Sequence, residues 1–159
     1  MEGSLLTHWT ARAAFLLYAG GLAAWMVARP GVARRAWTAG FLMYLAHVAA
    51  AFQFYHHWSH DAAYRETARQ TGELFGIASG AGLYWNYGFT AVWAADVIRL
   101  WRNGKWPRGV QAAIHCFMAF MFFNATVVFV SGWVRWMGTG VAIGLLALWP
   151  RRRRSRLDD

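Results

Sequence analysis

Polar and apolar positions along the chain fall into five long apolar stretches joined by polar connections. A bilayer-spanning helix needs about 17–25 mostly apolar residues. By that measure the pattern predicts spans at 6–27, 36–58, 73–101, 109–132 and 134–149. The first should end at Arg29-Pro30-Gly31, because proline cannot continue a helix and glycine terminates one readily. The fourth opens beside Pro107, where the missing N–H costs nothing. The fifth should close at Pro150. The 59–72 connection reads as a short surface helix: Asp61 and Arg65 are four apart, as are Arg65 and Arg69, and Asp61 suits a helix N-terminus. Thr71-Gly72 marks the expected break before the third span. The fold class expected is therefore all-α integral membrane, a five-transmembrane-helix bundle with a surface helix between the second and third spans. Residues 1–150 would form one transmembrane domain and 151–159 a basic cytoplasmic tail.

Charge orients this bundle. Basic residues gather in alternate connections: Arg29, Arg34 and Arg35; then Arg99, Arg102, Lys105 and Arg108; then Arg151 to Arg154 and Arg156. Most of the acids lie in the other connections. Basic flanks of spans are retained on the cytoplasmic side, so this sorting predicts the N-terminus outside and the C-terminus inside, in a bacterial cytoplasmic membrane. Tryptophans sit at both predicted boundaries, Trp9, Trp58, Trp133 and Trp136 outside and Trp37, Trp101, Trp106 and Trp149 inside, as an interfacial belt would.

Composition agrees. The 159 residues are 58% hydrophobic and 14% charged, too apolar for a soluble domain of this length. The net charge of +9 does not make the chain a nucleic-acid binder, because its basic residues cap apolar runs and form no basic-aromatic surface. The single cysteine, Cys116, excludes an internal disulfide and any CxxC site. The N-terminus lacks a basic n-region, so the first stretch reads as a retained helix. GxSxG, HExxH, P-loop and Rossmann signatures are absent, which argues against a serine hydrolase or a nucleotide-driven transporter.

Candidate chemistry centres on histidine. His56, His57 and His60, with Asp61, form the run HHWSHD at the expected outer rim. If the helix continued, His56 and His60 would share a face at metal-ligand spacing, and imidazole with carboxylate suits iron, copper or zinc. A hydrogen-bonding rim and an acid–base role remain open for the same residues. Membrane di-iron hydroxylases carry comparable runs, but need several, on the cytoplasmic side, and this chain has one. His47 and His115 lie inside predicted spans, where ionisable residues are functional candidates by default. Small neighbours leave room for a b-type haem held by both. A depth mismatch of roughly 7–8 Å counts against sharing and favours separate hydrogen-bonded histidines. Asn86, Thr90, Asn124 and Thr126 are expected as interhelical hydrogen-bonding groups or as the lining of a pocket. Gly76 with Gly80, Gly140 with Gly144, and Gly20-Gly21 beside Ala24 are expected to let helices approach. Asp96 with Arg99 reads as an ion pair at the inner boundary.

These residues predict a membrane protein that binds a redox metal or haem toward its outer face, near a quinone or lipid. The alternatives are a non-catalytic structural or assembly subunit that packs against other membrane-protein subunits, and a metal-independent lipid-modifying enzyme.

Overall fold

The computed structural model describes residues 2–129 and 132–155. Among them every regular element is helical: α1 (Glu2–Met26), α2 (Pro30–Ala51), α3 (His60–Phe75), α4 (Gly82–Trp101), α5 (Arg108–Phe123) and α6 (Trp133–Ser155). A wider turn of π-helix extends α2 through Phe52–His56, and another extends α5 through Asn124–Val128. The all-α class expected from the apolar pattern holds. Of the five expected spans, length and composition single out one among the described residues, the continuous helix Arg108–Val128. The other long helices are rich in alanine, glycine, tyrosine and tryptophan, which contribute less to transfer into hydrocarbon than leucine or isoleucine.

Several boundaries differ from the sequence reading for identifiable reasons. Pro30 does not merely stop α1; it opens α2, since its fixed φ suits a first helical turn. Ala28, at φ 56°, makes the reversal, and the Arg29 N–H bonds back to the Ala24 carbonyl at 2.8 Å. Arg34 and Arg35 consequently lie inside α2. The surface helix runs past Thr71-Gly72 to Phe75 and ends at Gly76, whose φ of 74° is the left-handed conformation glycine adopts freely. Glu73 therefore belongs to α3, where it accepts from Arg69 at 2.5 Å, and the third long helix shortens to α4. Gly76 and Gly80 fall in the break and form no packing stripe; a Cβ on Gly80 would meet the Tyr64 ring at 2.6 Å. At the far end α6 continues through Pro150 to Ser155, so the helix does not close at the proline. Residues 156–159 of the expected tail lie outside the described residues.

Aromatic side chains build the core where α1, α2, α4 and α5 meet. Trp93 and Met118 are wholly enclosed, and Phe15, Tyr18, Trp37, Phe89 and Phe122 pack around them. Tyr18 stacks on Phe122 at 4.1 Å between centroids, and Trp93 meets Trp37 edge-on at 5.9 Å. Such ring pairs contribute about 0.5–1.5 kcal/mol each beyond their buried area. Gly40 lets three helices converge, because a Cβ there would lie 3.2 Å from Trp93, 3.3 Å from Leu17 Cβ and 3.3 Å from the Tyr18 nitrogen.

Cross-links set the helix directions. His47, late in α2, donates from Nδ1 to the Thr7 carbonyl, early in α1, at 2.9 Å. The Trp101 indole, at the end of α4, donates to Thr38 Oγ1, early in α2, at 3.0 Å. Neighbours α1 and α2 are therefore antiparallel, as are α2 and α4. The first two basic clusters consequently meet at one end of the bundle: the Arg34 guanidinium lies 4.5 Å over the Trp101 ring. The N-terminal half of α6 is held at the other end, by Arg12 over the Trp133 ring at 4.7 Å and by Gly138 against Thr126.

Candidate functional site

The histidine rim does not assemble as a ligand set. The helical run through His56 ends there, and His57 and Trp58 take positive φ values of 48° and 58°. Ser59 then caps a new helix, its hydroxyl accepting from the Ala62 N–H at 3.2 Å. The chain reverses between His56 and His60, so the four-residue spacing does not place them on one helical face. His56 packs edge-on against Phe52, 5.5 Å between centroids. His60 Nδ1 shares a hydrogen bond of 3.0 Å with the Tyr87 hydroxyl and stacks on that ring. Asp61 is paired with Arg65, and His57 is exposed. Among the described residues no group of three His, Cys, Asp or Glu side chains is gathered as a metal site would need. Joint ligation by His56, His57, His60 and Asp61 therefore gains no support from the arrangement of the described residues.

His47 and His115 do not face one another either. His47 is held by Thr7 near the start of α1, whereas His115 packs on Trp25 and Trp37 at 5.5 and 5.7 Å, near the other end. Thr7 and Trp25 are separated by about 27 Å along α1 at 1.5 Å per residue. Two axial ligands must reach one iron from opposite sides. Trp37 precedes His47 by about 15 Å along α2, roughly twice the depth mismatch expected from sequence, so the placement of the two imidazoles lends a shared haem no support.

What the fold does bring together lies at the basic end. A cavity of about 170 Å³ opens between the last turns of α1 and α4 and the first turns of α2 and α5. Its polar wall consists of Arg34, Trp37, Asp96, Arg99, Gln111 and His115; Leu22, Trp25 and Leu100 supply apolar wall. Asp96 is 3% exposed. Its Oδ1 accepts from Arg99 Nε at 2.8 Å and from the Trp106 indole at 2.9 Å. Arg99 Nη1 also donates to the Gly104 carbonyl at 3.3 Å, fixing the guanidinium between the α4 terminus and the following loop. Two donors in this wall have no hydrogen-bond acceptor although their atoms are buried: the Trp37 indole N–H and Arg34 Nε. A buried donor left unmatched carries a desolvation penalty of about 1–3 kcal/mol. The Trp93 indole N–H and the Tyr18 hydroxyl are buried without a partner in the same way within the packed core.

A wider depression of about 420 Å³ lies at the histidine end, beside His56, Arg65, Glu66 and Arg69. It is shallow, and its charged side chains satisfy one another. Arg69 donates to both Glu66 oxygens, at 2.9 and 2.6 Å, and to Glu73. The Arg69 hydrogen bonds hold the Glu66 carboxyl below its ordinary range. This patch stabilises α3 and presents no unmatched group.

Sequence reasoning found part of the cavity and missed the rest. Asp96 with Arg99 was legible as an ion pair, and His115 as an intramembrane histidine. Trp37 and Trp106 read as belt residues because boundary tryptophans are common, yet Trp37 is 5% exposed and Trp106 bonds Asp96. Of the expected interhelical groups, Thr90 bonds Tyr44 across helices at 3.1 Å, while Asn124 and Thr126 bond carbonyls of their own helix. No protein-family model, no curated protein and no solved structure matches this chain.

Proposed function

We propose that the chain is a five-span protein of the bacterial cytoplasmic membrane, N-terminus outside and C-terminus inside, that binds a membrane-borne amphiphile, a lipid or a quinone, in the cavity at its cytoplasmic end. One observation carries the reading: a largely apolar cavity opens where four helices end, and the polar residues Arg34, Asp96, Arg99, Gln111 and His115 converge on it. Such a combination, an apolar pocket with a few convergent polar groups, is the usual form of a small-molecule site. The helix directions support the topology, because they collect the basic connections on one side. Iron, copper, zinc or haem chemistry finds no gathered ligand set at the candidate histidines, so the proposed activity is binding.

The test is chemical. Extraction of protein purified in mild detergent should release a lipid or quinone near one equivalent. Ala33 also lines the cavity, so Ala33→Leu should lower that yield severalfold without changing the helical content. Equal, substoichiometric yields from both proteins would sink the reading.

A second reading draws on a different surface. Trp136, Leu146 and Ile143 on α6 are 76%, 71% and 62% exposed. A non-catalytic subunit would use such a face against another membrane protein. Purification of a defined heteromeric complex that dissociates when Trp136 becomes alanine would favour it.

A further inference from the structure

We propose that His60, Tyr64, Tyr84 and Tyr87 form an open aromatic seat for a quaternary ammonium group. The seat lies at the start of α4, at the opposite end of that helix from the basic cavity, and does not depend on it. Two sources carry the chemistry, the choline headgroup of a phospholipid and free choline.

Helix spacing begins the argument. His60 and Tyr64 are four apart on α3, and Tyr84 and Tyr87 three apart on α4, so each pair shares a face of its helix. The two helices pack together, and the faces meet. His60, Tyr64 and Tyr84 form a near-equilateral triangle of ring centroids, with sides of 5.9, 6.2 and 6.5 Å. His60, Tyr84 and Tyr87 form a second, with sides of 5.9, 5.9 and 6.3 Å. The middle of either triangle is about 3.5 Å from each centroid. A cation about 3 Å above it therefore lies under about 5 Å from three rings at once, within the roughly 6 Å reach of a cation–π contact. The tyrosine rings are tilted by 61° and 77° where they meet, so they do not form a flat stack. Two contacts hold the seat in place. The Tyr87 hydroxyl and His60 Nδ1 share a hydrogen bond of 3.0 Å. Tyr64 rests on bare backbone, because a Cβ on Gly80 would lie 2.6 Å from three of its ring carbons. The rings are within reach of a ligand: all four residues are exposed, Tyr84 by 57%. Formal charge does not choose the ligand, since Arg65, next to Tyr64, is turned onto Asp61. Aromatic faces then favour a quaternary ammonium, the cation that such groups of rings are known to recognise. A tyrosine at a bilayer boundary is ordinary; four rings from two helices converging on one point go beyond a belt.

The decisive variants separate a ring face from mere apolar bulk. Tyr84→Phe keeps the ring and loses the hydroxyl; Tyr84→Leu keeps apolar surface and loses the ring. Delipidated full-length protein in maltoside detergent is titrated with phosphatidylcholine, with phosphatidylethanolamine, with choline and with the neutral tert-butyl isostere of choline. Binding is read by native mass spectrometry for the lipids and equilibrium dialysis for the solutes, and folding by circular dichroism. We expect saturable binding of phosphatidylcholine, of choline, or of both, in preference to phosphatidylethanolamine and the isostere. Tyr84→Leu should weaken it about three- to fivefold, and Tyr84→Phe should leave it near the wild-type value. Phosphatidylcholine without choline would identify a lipid source, and choline alone a soluble one. Should Tyr84→Leu fail to fold, Tyr64→Leu removes another ring of the same triangle. The isostere binding as well as choline, phosphatidylethanolamine binding as well as phosphatidylcholine, or affinities unchanged in the leucine variants would overturn the seat. So would no binding of either quaternary ammonium probe. None of these results bears on the basic cavity, whose own test is the yield of extracted lipid or quinone.

Discussion

Asp96 is the residue whose removal the basic end should feel most. Its carboxylate is the acceptor for Arg99 Nε and for the Trp106 indole, both from positions where water is scarce. Asp96→Ala strands a guanidinium and an indole N–H together. Breaking a buried pair from one side costs about 3–5 kcal/mol; with Arg99 17% exposed we expect about 2–3 kcal/mol. Asp96→Asn keeps an oxygen for Trp106 and should lose less. Unfolding in mixed micelles checks the order. Glycine on α6 supplies a second contrast. The sequence pointed to Gly140 and Gly144, four apart, as the close-packing pair, but a Cβ at either meets nothing within 4 Å. The packing glycine is Gly138, where a Cβ would lie 2.8 Å from Thr126 Oγ1 and 3.1 Å from the Thr126 carbonyl. Gly138→Ala should cost about 1–3 kcal/mol by overpacking, whereas Gly140→Ala should be neutral or slightly stabilising through helix propensity. Spacing shows that small residues can share a face; only the neighbouring helix decides which of them is approached.

Among the elements, α3 is the one with a pH dependence that can be signed. Hydrogen bonds from Arg69 lower the Glu66 carboxyl, so the folded state binds its proton less readily than the unfolded chain. The stabilisation is complete above the ordinary glutamate range and is lost as the pH falls through the depressed folded value. Hydrogen exchange of α3 amides should therefore accelerate on acidification relative to α4, after correction for intrinsic rates. Because these pairs are exposed, the effect is small and weakens with salt. Unchanged relative protection down to pH 3 would remove Glu66 from the account. Gly76, in the left-handed region at φ 74°, ends α3; Gly76→Ala should cost about 1 kcal/mol and fray the last turn. The sequence placed this helix correctly and its end three residues too early. Thr71-Gly72 carries the composition of a break, yet the helix runs through it to Phe75, with Glu73 paired to Arg69 one turn back.

For the whole molecule, the collection of basic connections at one end predicts a measurable topology. A reporter fused after Asp159 should behave as cytoplasmic, and Ala62→Cys, on α3, should react with an impermeant thiol reagent added from outside. Labelling of that cysteine only after the membrane is permeabilised would invert the bundle and place the proposed cavity on the opposite face. Wild-type Cys116 is exposed on α5, so the labelling is done against a Cys116→Ala background.

Local pattern by itself determined the helical class, the presence of five long helices with a short polar one between the second and third, and the sorting of basic residues to alternate connections. These follow from hydropathy, turn residues and charge, which act over one or two helical turns and are written directly in the chain. Tertiary structure alone decided which chemical groups meet. The left-handed pair at His57 and Trp58 redirects the chain and disperses a histidine run that a continuous helix would have gathered. Helix packing holds His47 beside Thr7 at the start of α1 and His115, on α5, beside Trp25 at the end of α1 and Trp37 early in α2. The same packing brings Arg34 and Trp37 from α2 against Asp96 and Arg99 from α4, residues some sixty positions apart. No short-range signal links them, because a cavity exists only where several helix ends are stacked around space that their side chains do not fill.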